Sequence, residues 1–301
     1  MTLPKQVSIV EVSPRDGLQN EAVLVTLEQK LGLVRGLGNA GLEFIEAGSF
    51  VNPARVPQMA QSDALFEQLT DHDQRNYIAL VPNLQGFERA VAAGAQTVAV
   101  FTAASETFCR KNINCSIQQS LERFEPIFQS ARQLGIGVRG YVSCVAGCPY
   151  EGYVDPQRVT ELARLLAGLG CYEVCLADTT GVGTAEQFSE LVKQVRNHIS
   201  VDRLAVHCHD TYGQALANIY AALTQGIRVI DSSIAGLGGC PFARGASGNV
   251  ATEDLVYMLH GCNIKTGIDL NHLIECGNAI CRVLGKPNQS RVSAAIGGRA
   301  D

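Results

Sequence analysis

Two histidines, His207 and His209, are separated by one residue at the end of an apolar, β-branched run. Side chains alternate between the two faces of a β-strand, so both imidazoles would lie on one face and Cys208 on the other. Neutral imidazoles bind divalent metals, and a pair on one face supplies half of a metal site. A His-x-His pair can equally be two hydrogen-bonded core residues. The metal interpretation therefore requires oxygen ligands from other parts of the chain.

The composition limits the classes of partner. The chain has 301 residues, of which 46% are hydrophobic, and it can therefore bury a large core. No apolar run reaches the roughly 18 residues of a spanning helix, which argues against a membrane protein. The net charge of −5 and the pI near 5.7 argue against nucleic-acid binding. We therefore expect a small soluble partner.

The cysteines and the first residues bear on the cellular compartment. An odd count of 11 cysteines argues against a pure disulfide framework. The pairs Cys144 with Cys148 and Cys171 with Cys175 lack the spacing of a zinc ribbon, so most cysteines are expected to be buried thiols. A strand-like run at residues 7–10 leaves no room for a leader peptide. These features together predict a cytoplasmic protein.

Eight short apolar runs alternate with amphipathic stretches along the chain. The predicted strands are residues 7–12, 44–47, 77–81, 97–101, 137–142, 174–177, 204–209 and 229–234. The predicted helices include residues 27–37, 84–93, 117–134, 156–169, 185–195 and 212–223. Continuous apolar strands that alternate with helices indicate a parallel sheet covered on both faces. Eight such units predict a (β/α)8 TIM barrel, with an open doubly wound sheet as the alternative.

Local signals at helix ends agree with this order of elements. Polar residues suited to N-caps precede two predicted helices and glycines follow three, at Asp155 and Thr184 and at Gly135, Gly170 and Gly226. An α/β barrel occupies about 250 residues as one domain. We therefore predict a single barrel catalytic domain with extra C-terminal helices over residues 1–290 and a mobile tail over residues 291–301.

Polar residues cluster at the predicted strand ends, where ligands bind in both architectures. They are Arg15 and Asp16 after the first strand, Glu46 on the second, Ser143 after the fifth, Asp178 after the sixth, and His207 and His209 on the seventh. The eighth strand is followed by a loop over residues 236–249 that contains five glycines. Its backbone can therefore approach a ligand closely or adopt positive φ angles. This concentration of polar groups predicts an active site at one rim.

Three motifs and several supporting stretches resemble the 3-hydroxy-3-methylglutaryl-CoA lyase family. The motifs are Ser13-Pro-Arg-Asp-Gly-Leu-Gln-Asn-Glu21, His207-Cys-His-Asp210 and Gly236-Leu-Gly-Gly-Cys-Pro241. The supporting stretches are Phe44-Ile-Glu-Ala-Gly-Ser-Phe-Val51, Lys111-Asn-Ile-Asn-Cys115, Ser143-Cys-Val-Ala-Gly-Cys-Pro-Tyr-Glu-Gly152 and Ala177-Asp-Thr-Thr-Gly-Val-Gly183. The resemblance covers nearly the whole chain. It implies a metal-dependent (β/α)8 barrel that acts on an acyl-CoA and forms a homodimer.

The same resemblance implies that Asp16, His207, His209 and Asn249 are the metal ligands. Two nitrogens, one carboxylate oxygen and one amide oxygen leave open positions on an octahedral ion. This ligand set favours Mg²⁺ or Mn²⁺ over a closed tetrahedral zinc site. Imidazole also suits Zn²⁺, so the sequence leaves zinc open.

The implied reaction is a retro-Claisen cleavage of 3-hydroxy-3-methylglutaryl-CoA to acetoacetate and acetyl-CoA, as in leucine degradation and ketone-body formation. A divalent cation would fix the substrate and lower the pKa of its hydroxyl. Arg15 matches the family's residue that stabilises the enolate of acetyl-CoA, and Cys240 matches its catalytic cysteine, which would protonate that carbanion. Asp16 and His207 would take part as ligands. The identity of the general base stays open.

The remaining site residues have weaker support from the sequence. Glu46 would hold Arg15 in place, and the other expected substrate contacts are Gln19, Ser143 and Thr179. Arg110 and Lys111 could meet the CoA phosphates or be ordinary surface charge. Simpler roles compete: Arg15 and Asp16 could be a rim ion pair, Cys240 a buried thiol, and Asp178 and Thr179 part of a helix cap.

Other functions are distinguished by particular residues. A related lyase could act on a longer 3-substituted 3-hydroxyglutaryl-CoA. An acetyl-CoA-dependent synthase of the isopropylmalate or homocitrate type resembles this barrel, but it carries Gly-Glu-Gln where this chain has Gly17-Leu18-Gln19. In a barrel hydrolase of the amidohydrolase type, His-x-His lies on the first strand. A binding scaffold would be expected to lose some of the catalytic residues, all of which are present here.

Overall fold

The computed structural model describes residues 3–71, 74–238 and 248–297. Eight parallel strands form a closed barrel in sequence order, and Ile9 of the first strand pairs with Ile230 of the last. The strands are β1 Ser8–Glu11, β2 Phe44–Ser49, β3 Asn76–Leu80, β4 Thr97–Ala103, β5 Gly137–Ser143, β6 Glu173–Asp178, β7 Leu204–Cys208 and β8 Val229–Ser232. The predicted (β/α)8 barrel is confirmed, and the doubly wound alternative is excluded because the sheet closes.

Helices follow the strands and cover the outer face of the barrel. They are α1 Leu27–Asn39, α2 Ser62–Phe66, α3 Leu84–Ala92, α4 Glu106–Ile113, α5 Ile117–Leu134, α6 Pro156–Leu169, α7 Ala185–Val195, α8 Ala215–Thr224, α9 Thr252–Gly261, α10 Leu270–Leu284 and α11 Arg291–Gly297. The predicted bounds of α5, α6 and α7 agree with the structure. The short helices α2 and α4 were not predicted, because five to eight residues carry little helical periodicity.

At two element ends, a turn replaces the regular structure that the sequence predicted. Helix α8, predicted over residues 212–223, begins at Ala215 rather than at residue 212, because Asp210 Oδ1 accepts the Ala215 N–H at 3.0 Å. Gly213 has a φ of +70°, which ends a tight turn between β7 and α8. Strand β8 ends at Ser232 rather than at residue 234, because a short 3₁₀ turn, Ile234–Gly236, follows it.

The predicted helix caps are mostly confirmed. Asp155 accepts the backbone N–H of Gln157 at 2.9 Å, and Thr184 forms a capping box with Gln187. Gly135 and Gly170 end α5 and α6 in the left-handed conformation. Gly226 lies one residue beyond the C-cap of α8, with a φ of +97°.

Apolar side chains form two layers, one on each face of the sheet. The layer between strands and helices is the larger and includes Ile45, Val98, Val174 and Val206 from strands and Leu37, Phe124 and Val192 from helices. The layer inside the barrel is smaller and includes Val10, Ile78, Ala99, Tyr141, Cys175 and Ala205. Strands buried on both faces explain the continuous apolar runs in the sequence.

A buried arginine, Arg139, occupies the barrel interior and is fully inaccessible to solvent. Its Nε donates to Glu173 at 2.6 Å, and its two Nη atoms donate to the two oxygens of Asp231 at 2.7 and 3.1 Å. Burial alone would lower the pKa of Arg139, but Asp231 and its other neighbours raise it well above its usual value. Arg139 therefore stays charged and holds β5, β6 and β8 together.

We expect Asp231→Asn to destabilise the metal-free protein by about 3–5 kcal/mol, because it leaves a buried guanidinium without the buried carboxylate that accepts two of its hydrogen bonds. Urea unfolding in the presence of a chelator measures this loss. The matched control is Asp202→Asn, whose exposed carboxylate lies 3.5 Å from Arg228 and whose removal should cost about 1 kcal/mol or less. Equal losses in the two variants would contradict a structural role for the buried pair.

The end of the chain packs on α9. Asp254 accepts hydrogen bonds from Ser290 Oγ at 2.6 Å and from the Val292 N–H at 2.9 Å, at the start of α11. The expected mobile tail over residues 291–301 stays a prediction: residues 291–297 are helical, and the last four lie outside the described residues. Within the described part of the chain, none of the helices is long and apolar enough to cross a membrane.

Candidate active site

Asp16 lies in a single π-helical turn, Ser13–Gly17, that follows β1. The Val12 carbonyl accepts the N–H groups of both Asp16 and Gly17, at 2.8 and 3.2 Å, which winds the turn more widely than an α-helix. This turn directs Arg15 and Asp16 into the cavity at the mouth of the barrel. The first predicted site residues are therefore placed by an irregular turn rather than by the strand.

His207 lies on β7 and His209 directly follows its last residue, and both are less than 8% exposed. Their ring centroids are 5.2 Å apart, whereas Cys208 between them packs in the apolar layer against the helices. One ligand atom each of Asp16, His207 and His209 lies within 4.8 Å of the others. The sequence prediction that two imidazoles share one face and meet a carboxylate is confirmed.

Asn249 joins this cluster from the other end of the glycine-rich loop. Its Nδ2 donates to Asp16 Oδ2 at 2.8 Å and to the Leu237 carbonyl at 3.0 Å. An amide nitrogen with both protons in hydrogen bonds leaves the amide oxygen as the atom available to a cation. The structure thus brings together all four residues that the resemblance implies as metal ligands.

The protonation states at the cluster suit a divalent cation. Burial opposes ionisation of Asp16, but Arg15, the two histidines and the Asn249 amide lower its pKa to about 2. Burial, with His207 beside it, lowers the pKa of His209 to about 4, so its imidazole is neutral near pH 7. Within the described residues, Nδ1 of His209 is buried without a hydrogen-bond partner, and Nδ1 of His207 has the Asp231 carboxylate 3.4 Å away. An anionic oxygen, an amide oxygen and two imidazoles fit Mg²⁺ or Mn²⁺.

Arg15 is held between two carboxylates at the floor of the cavity. Its Nη1 donates to Asp16 Oδ1 at 2.7 Å, and its Nε donates to Glu46 Oε1. Burial would lower the pKa of Arg15, but Glu46 and then Asp16 raise it above its usual value. Glu46 is fully buried and also accepts from the Tyr141 hydroxyl at 2.8 Å. The predicted support of Arg15 by Glu46 is thus present in the geometry.

A second chain of contacts supports His207. Its Nδ1 lies 3.4 Å from Asp231 Oδ2, and the same carboxylate accepts two hydrogen bonds from Arg139. Arg139 also donates to the Tyr141 hydroxyl, which donates to Glu46, the carboxylate that accepts from Arg15. One buried network therefore connects a metal-ligand candidate to the cation beside it.

A cavity of about 630 Å³ opens above the cluster. Its lining includes each predicted substrate contact, namely Arg15, Gln19, Ser143 and Thr179. Lys111 also lines it and lies 3.8 Å from the centre of the Tyr150 ring. Arg110 points elsewhere, since its side chain is 71% exposed and lies 3.9 Å from Glu106. Of the two cations singled out in the sequence, Lys111 is the one that faces the cavity.

Cys240 lies outside the described residues, so its predicted catalytic role stays a prediction. At the described start of its loop, Gly236 and Gly238 have φ angles of +64° and +96°, so the predicted positive φ angles are present there. A Cβ on Gly238 would lie 2.6 Å from the Asn249 amide nitrogen.

Most described cysteines are buried and free, as expected, and burial raises the pKa of Cys144 to about 12.

The loop after β6 resolves the ambiguity about Asp178 and Thr179. Asp178 is buried and accepts the N–H groups of Gly181 and Gly183 at 3.0 and 2.9 Å, and its backbone carbonyl accepts the His209 N–H at 3.1 Å. Burial raises the pKa of this carboxyl despite those hydrogen bonds. Thr179 lines the cavity, whereas Thr184 caps the next helix. Asp178 therefore shapes the loop, and Thr179 faces the ligand space.

Sequence reasoning missed the network residues Arg139, Tyr141 and Asp231. Arg139 and Tyr141 are two positions apart on β5 and Asp231 is on β8, all in runs interpreted as apolar. A charged residue inside a predicted buried strand was the available signal, since such a charge requires a partner. Its partners could not be identified because they lie on other strands.

The fold and the site define a class of protein: a (β/α)8 barrel enzyme with a candidate divalent-metal site at the C-terminal ends of its strands. The chain matches the family described as HMGL-like over residues 6–280. A Pseudomonas aeruginosa protein named 3-hydroxy-3-isohexenylglutaryl-CoA/hydroxy-methylglutaryl-CoA lyase is 56% identical over 296 residues, which cover 98% of this chain and 99% of that protein.

Solved structures give the same result. A crystal structure of hydroxymethylglutaryl-CoA lyase from Pseudomonas aeruginosa matches with a TM-score of 0.97 and 55% identity, covering 100% of both chains. A structure of an HMG-CoA lyase from Acinetobacter baumannii in complex with coenzyme A and 3-methylmalate matches with a TM-score of 0.93 and 38% identity, covering 98% of this chain and 96% of that one. The chain belongs to the HMGL-like family. It is a carbon–carbon lyase, and the resemblance inferred from its motifs is confirmed.

Proposed function

We propose that this protein cleaves 3-hydroxy-3-methylglutaryl-CoA to acetoacetate and acetyl-CoA. The observation that carries the proposal is the meeting of Asp16, His207, His209 and Asn249 beside the Arg15 guanidinium, in one cavity. The names of the relatives reported above describe lyases that act on this class of acyl-CoA. Anionic, amide and imidazole ligands next to a fixed cation suit a substrate that develops negative charge.

Those four ligand candidates would hold Mg²⁺ or Mn²⁺, with Zn²⁺ as the alternative. When bound, the cation supplies Lewis acidity toward the hydroxyl and carboxylate oxygens of the substrate. Asp16 contributes an anion that does not compete for protons, because its pKa of about 2 keeps it ionised. For the same reason Asp16 is a weak base, and its carboxylate suits the ligand role.

The chemistry required of the protein concerns one proton and one developing charge. The 3-hydroxyl loses its proton, the bond between C2 and C3 breaks, and its electron pair passes into the thioester enolate of acetyl-CoA. Arg15 is positioned to stabilise that enolate, because Glu46 and Asp16 fix its guanidinium and keep it charged. By family resemblance, the Cys240 thiol then delivers a proton to the carbanion.

Substrates that differ by one oxygen test the proposal. The wild-type protein with Mg²⁺ or Mn²⁺ should cleave 3-hydroxy-3-methylglutaryl-CoA and leave 3-methylglutaryl-CoA intact, because only the first has a hydroxyl that can become a ketone. Mass spectrometry of the products measures both reactions. Cleavage of both thioesters to free CoA would indicate a hydrolase and overturn the proposal.

A second substrate class has a specific observation in its favour. The cavity lining includes apolar side chains beside the polar cluster, among them Val51, Val56, Leu80, Phe101 and Phe108. The Pseudomonas relative is named for a 3-isohexenyl as well as a 3-methyl substrate. Comparison of kcat/KM for the two acyl-CoAs distinguishes a methyl-specific enzyme from one that also accepts the longer chain.

Two further properties accompany this function. Lys111 on the cavity wall suits a phosphate of CoA, in keeping with the acyl-CoA partner. We expect a cytoplasmic protein, as the sequence predicts.

We also expect a homodimer, by family resemblance. Light scattering at micromolar concentration should give about twice the 32.2 kDa chain mass. A mass of one chain under those conditions would contradict the expected dimer.

A further inference from the structure

The 3₁₀ turn Ile234–Gly236 is held by two buried carboxylates that the proposed reaction does not use. Glu253 of α9 accepts the N–H of Ala235 with both of its oxygens, at 2.8 and 3.1 Å. Glu11 of β1 accepts the N–H of Ile234 at 2.9 Å. Both carboxylates are inaccessible to solvent. Burial of two acids at one turn is costly and indicates that the turn must keep one shape.

Ala235 needs this support because its backbone is in the left-handed region, with φ 56° and ψ 14°. Residues with a Cβ avoid this region, so an alanine stays there only when its surroundings fix it. Glu253 accepts the N–H of Ala235, and the Gln289 N–H donates to the Ala235 carbonyl at 3.2 Å. The conformation of the turn therefore depends on contacts from outside the turn.

The 3₁₀ turn Ile234–Gly236 directly precedes Leu237 and therefore determines the direction of the Leu237 carbonyl. That carbonyl accepts Asn249 Nδ2 at 3.0 Å, and the next residue, Gly238, accepts the Asn249 N–H at 3.3 Å. With its other amide proton on Asp16, the Asn249 side chain has one orientation, in which its oxygen is available as a ligand. A change at Ala235 would therefore reach Asn249 through one intervening carbonyl.

We infer that Glu253 is a positioning residue for the metal site: it fixes the turn at Ala235, and the turn orients the Asn249 amide through the Leu237 carbonyl. The inference rests on the metal site proposed above and adds a residue outside the set of ligands. Partners beyond the ligands orient ligand side chains in many metal sites, and their loss weakens metal binding by about 10- to 100-fold.

Glutamine is the matched conservative substitution. Burial raises the pKa of Glu253 to about 7, and the neighbouring Glu11 carboxylate adds to that shift. The acid must therefore accept the Ala235 N–H in its neutral form as well, through one carbonyl oxygen. Glu253→Gln keeps one acceptor oxygen and replaces the other with an amide nitrogen, whereas Glu253→Ala removes both acceptors.

Calorimetric titration of metal-free protein with Mn²⁺ tests the inference. Glu253→Ala should raise the Kd for Mn²⁺ about 10- to 100-fold, and Glu253→Gln should bind close to the wild-type value. Asp254→Ala is the control, because this neighbouring carboxylate accepts hydrogen bonds from residues 290–292 at the start of α11. A wild-type Kd in Glu253→Ala, or equal weakening in Asp254→Ala, would overturn the inference.

Hydrogen exchange of the Asn249 side-chain amide, followed by NMR in metal-free protein, separates this inference from the proposed function. Exchange should be faster in Glu253→Ala than in Asp254→Ala, because only the first variant loosens the turn. Equal exchange in the two variants would refute the positioning role. Faster exchange in a protein that binds no Mn²⁺ would retain the positioning of Asn249 and refute the metal site instead.

Discussion

Asp16→Ala should abolish both divalent-metal binding and turnover. The substitution removes the one anionic ligand candidate and also deprives Arg15 of a carboxylate 2.7 Å away. His207→Ala should have the same two effects, because it removes a buried ligand candidate that is 5% exposed. Titration with Mn²⁺ measures binding, and formation of acetyl-CoA measures turnover.

The control for both ligand variants is Asp63→Ala, which removes a half-exposed carboxylate paired with Arg89 on the outer helices. It should bind Mn²⁺ and turn over as the wild type does. Unchanged metal binding in Asp16→Ala and in His207→Ala would contradict the assignment of the ligand cluster. Full activity of the wild type in excess chelator would contradict metal dependence itself.

Cys240→Ser should lower kcat by about 10²- to 10⁴-fold and leave Mn²⁺ binding intact. A hydroxyl is nearly isosteric with a thiol but is a far weaker acid than a thiol with a pKa of about 8.5, so proton delivery to the carbanion suffers. KM should change little, because the contacts that bind substrate remain. Steady-state kinetics with 3-hydroxy-3-methylglutaryl-CoA gives both constants.

Alkylation supplies an independent readout for Cys240. A thiol-directed reagent should inactivate the wild type, substrate should protect it, and peptide mass analysis should find the adduct on this residue. Cys262→Ser, at the end of α9, is the matched control and should keep the wild-type kcat. A wild-type kcat in Cys240→Ser would mean that the thiol only packs the loop and that another group delivers the proton.

The barrel could be predicted because its signals are local. Apolar runs of four to seven residues, helix periodicity and caps such as Asp155 are all properties of short segments. Parallel strands that share one C-terminal rim then bring Asp16, His207 and His209 together without knowledge of any contact. Residue type and strand position were sufficient to place these three residues at one rim, whereas Asn249 was implied only by the family resemblance.

The supporting network could not be predicted, because it depends on register across the barrel. Arg139 meets Asp231, 92 residues away, and Glu11 meets Ile234, 223 residues away. Such pairs follow from how eight strands tilt and close, which no short segment encodes. The left-handed Ala235 was also missed, since alanine does not signal a positive φ as glycine does.

Metal-dependent cleavage of a carbon–carbon bond in an acyl-CoA is the reaction that we propose for this cavity. Its most direct test is product identification by mass after chelator-treated protein is mixed with 3-hydroxy-3-methylglutaryl-CoA, with and without added Mn²⁺. We predict equal amounts of acetyl-CoA and acetoacetate with Mn²⁺ and neither product without it. Free CoA as the product, or equal yields in both samples, would contradict the claim.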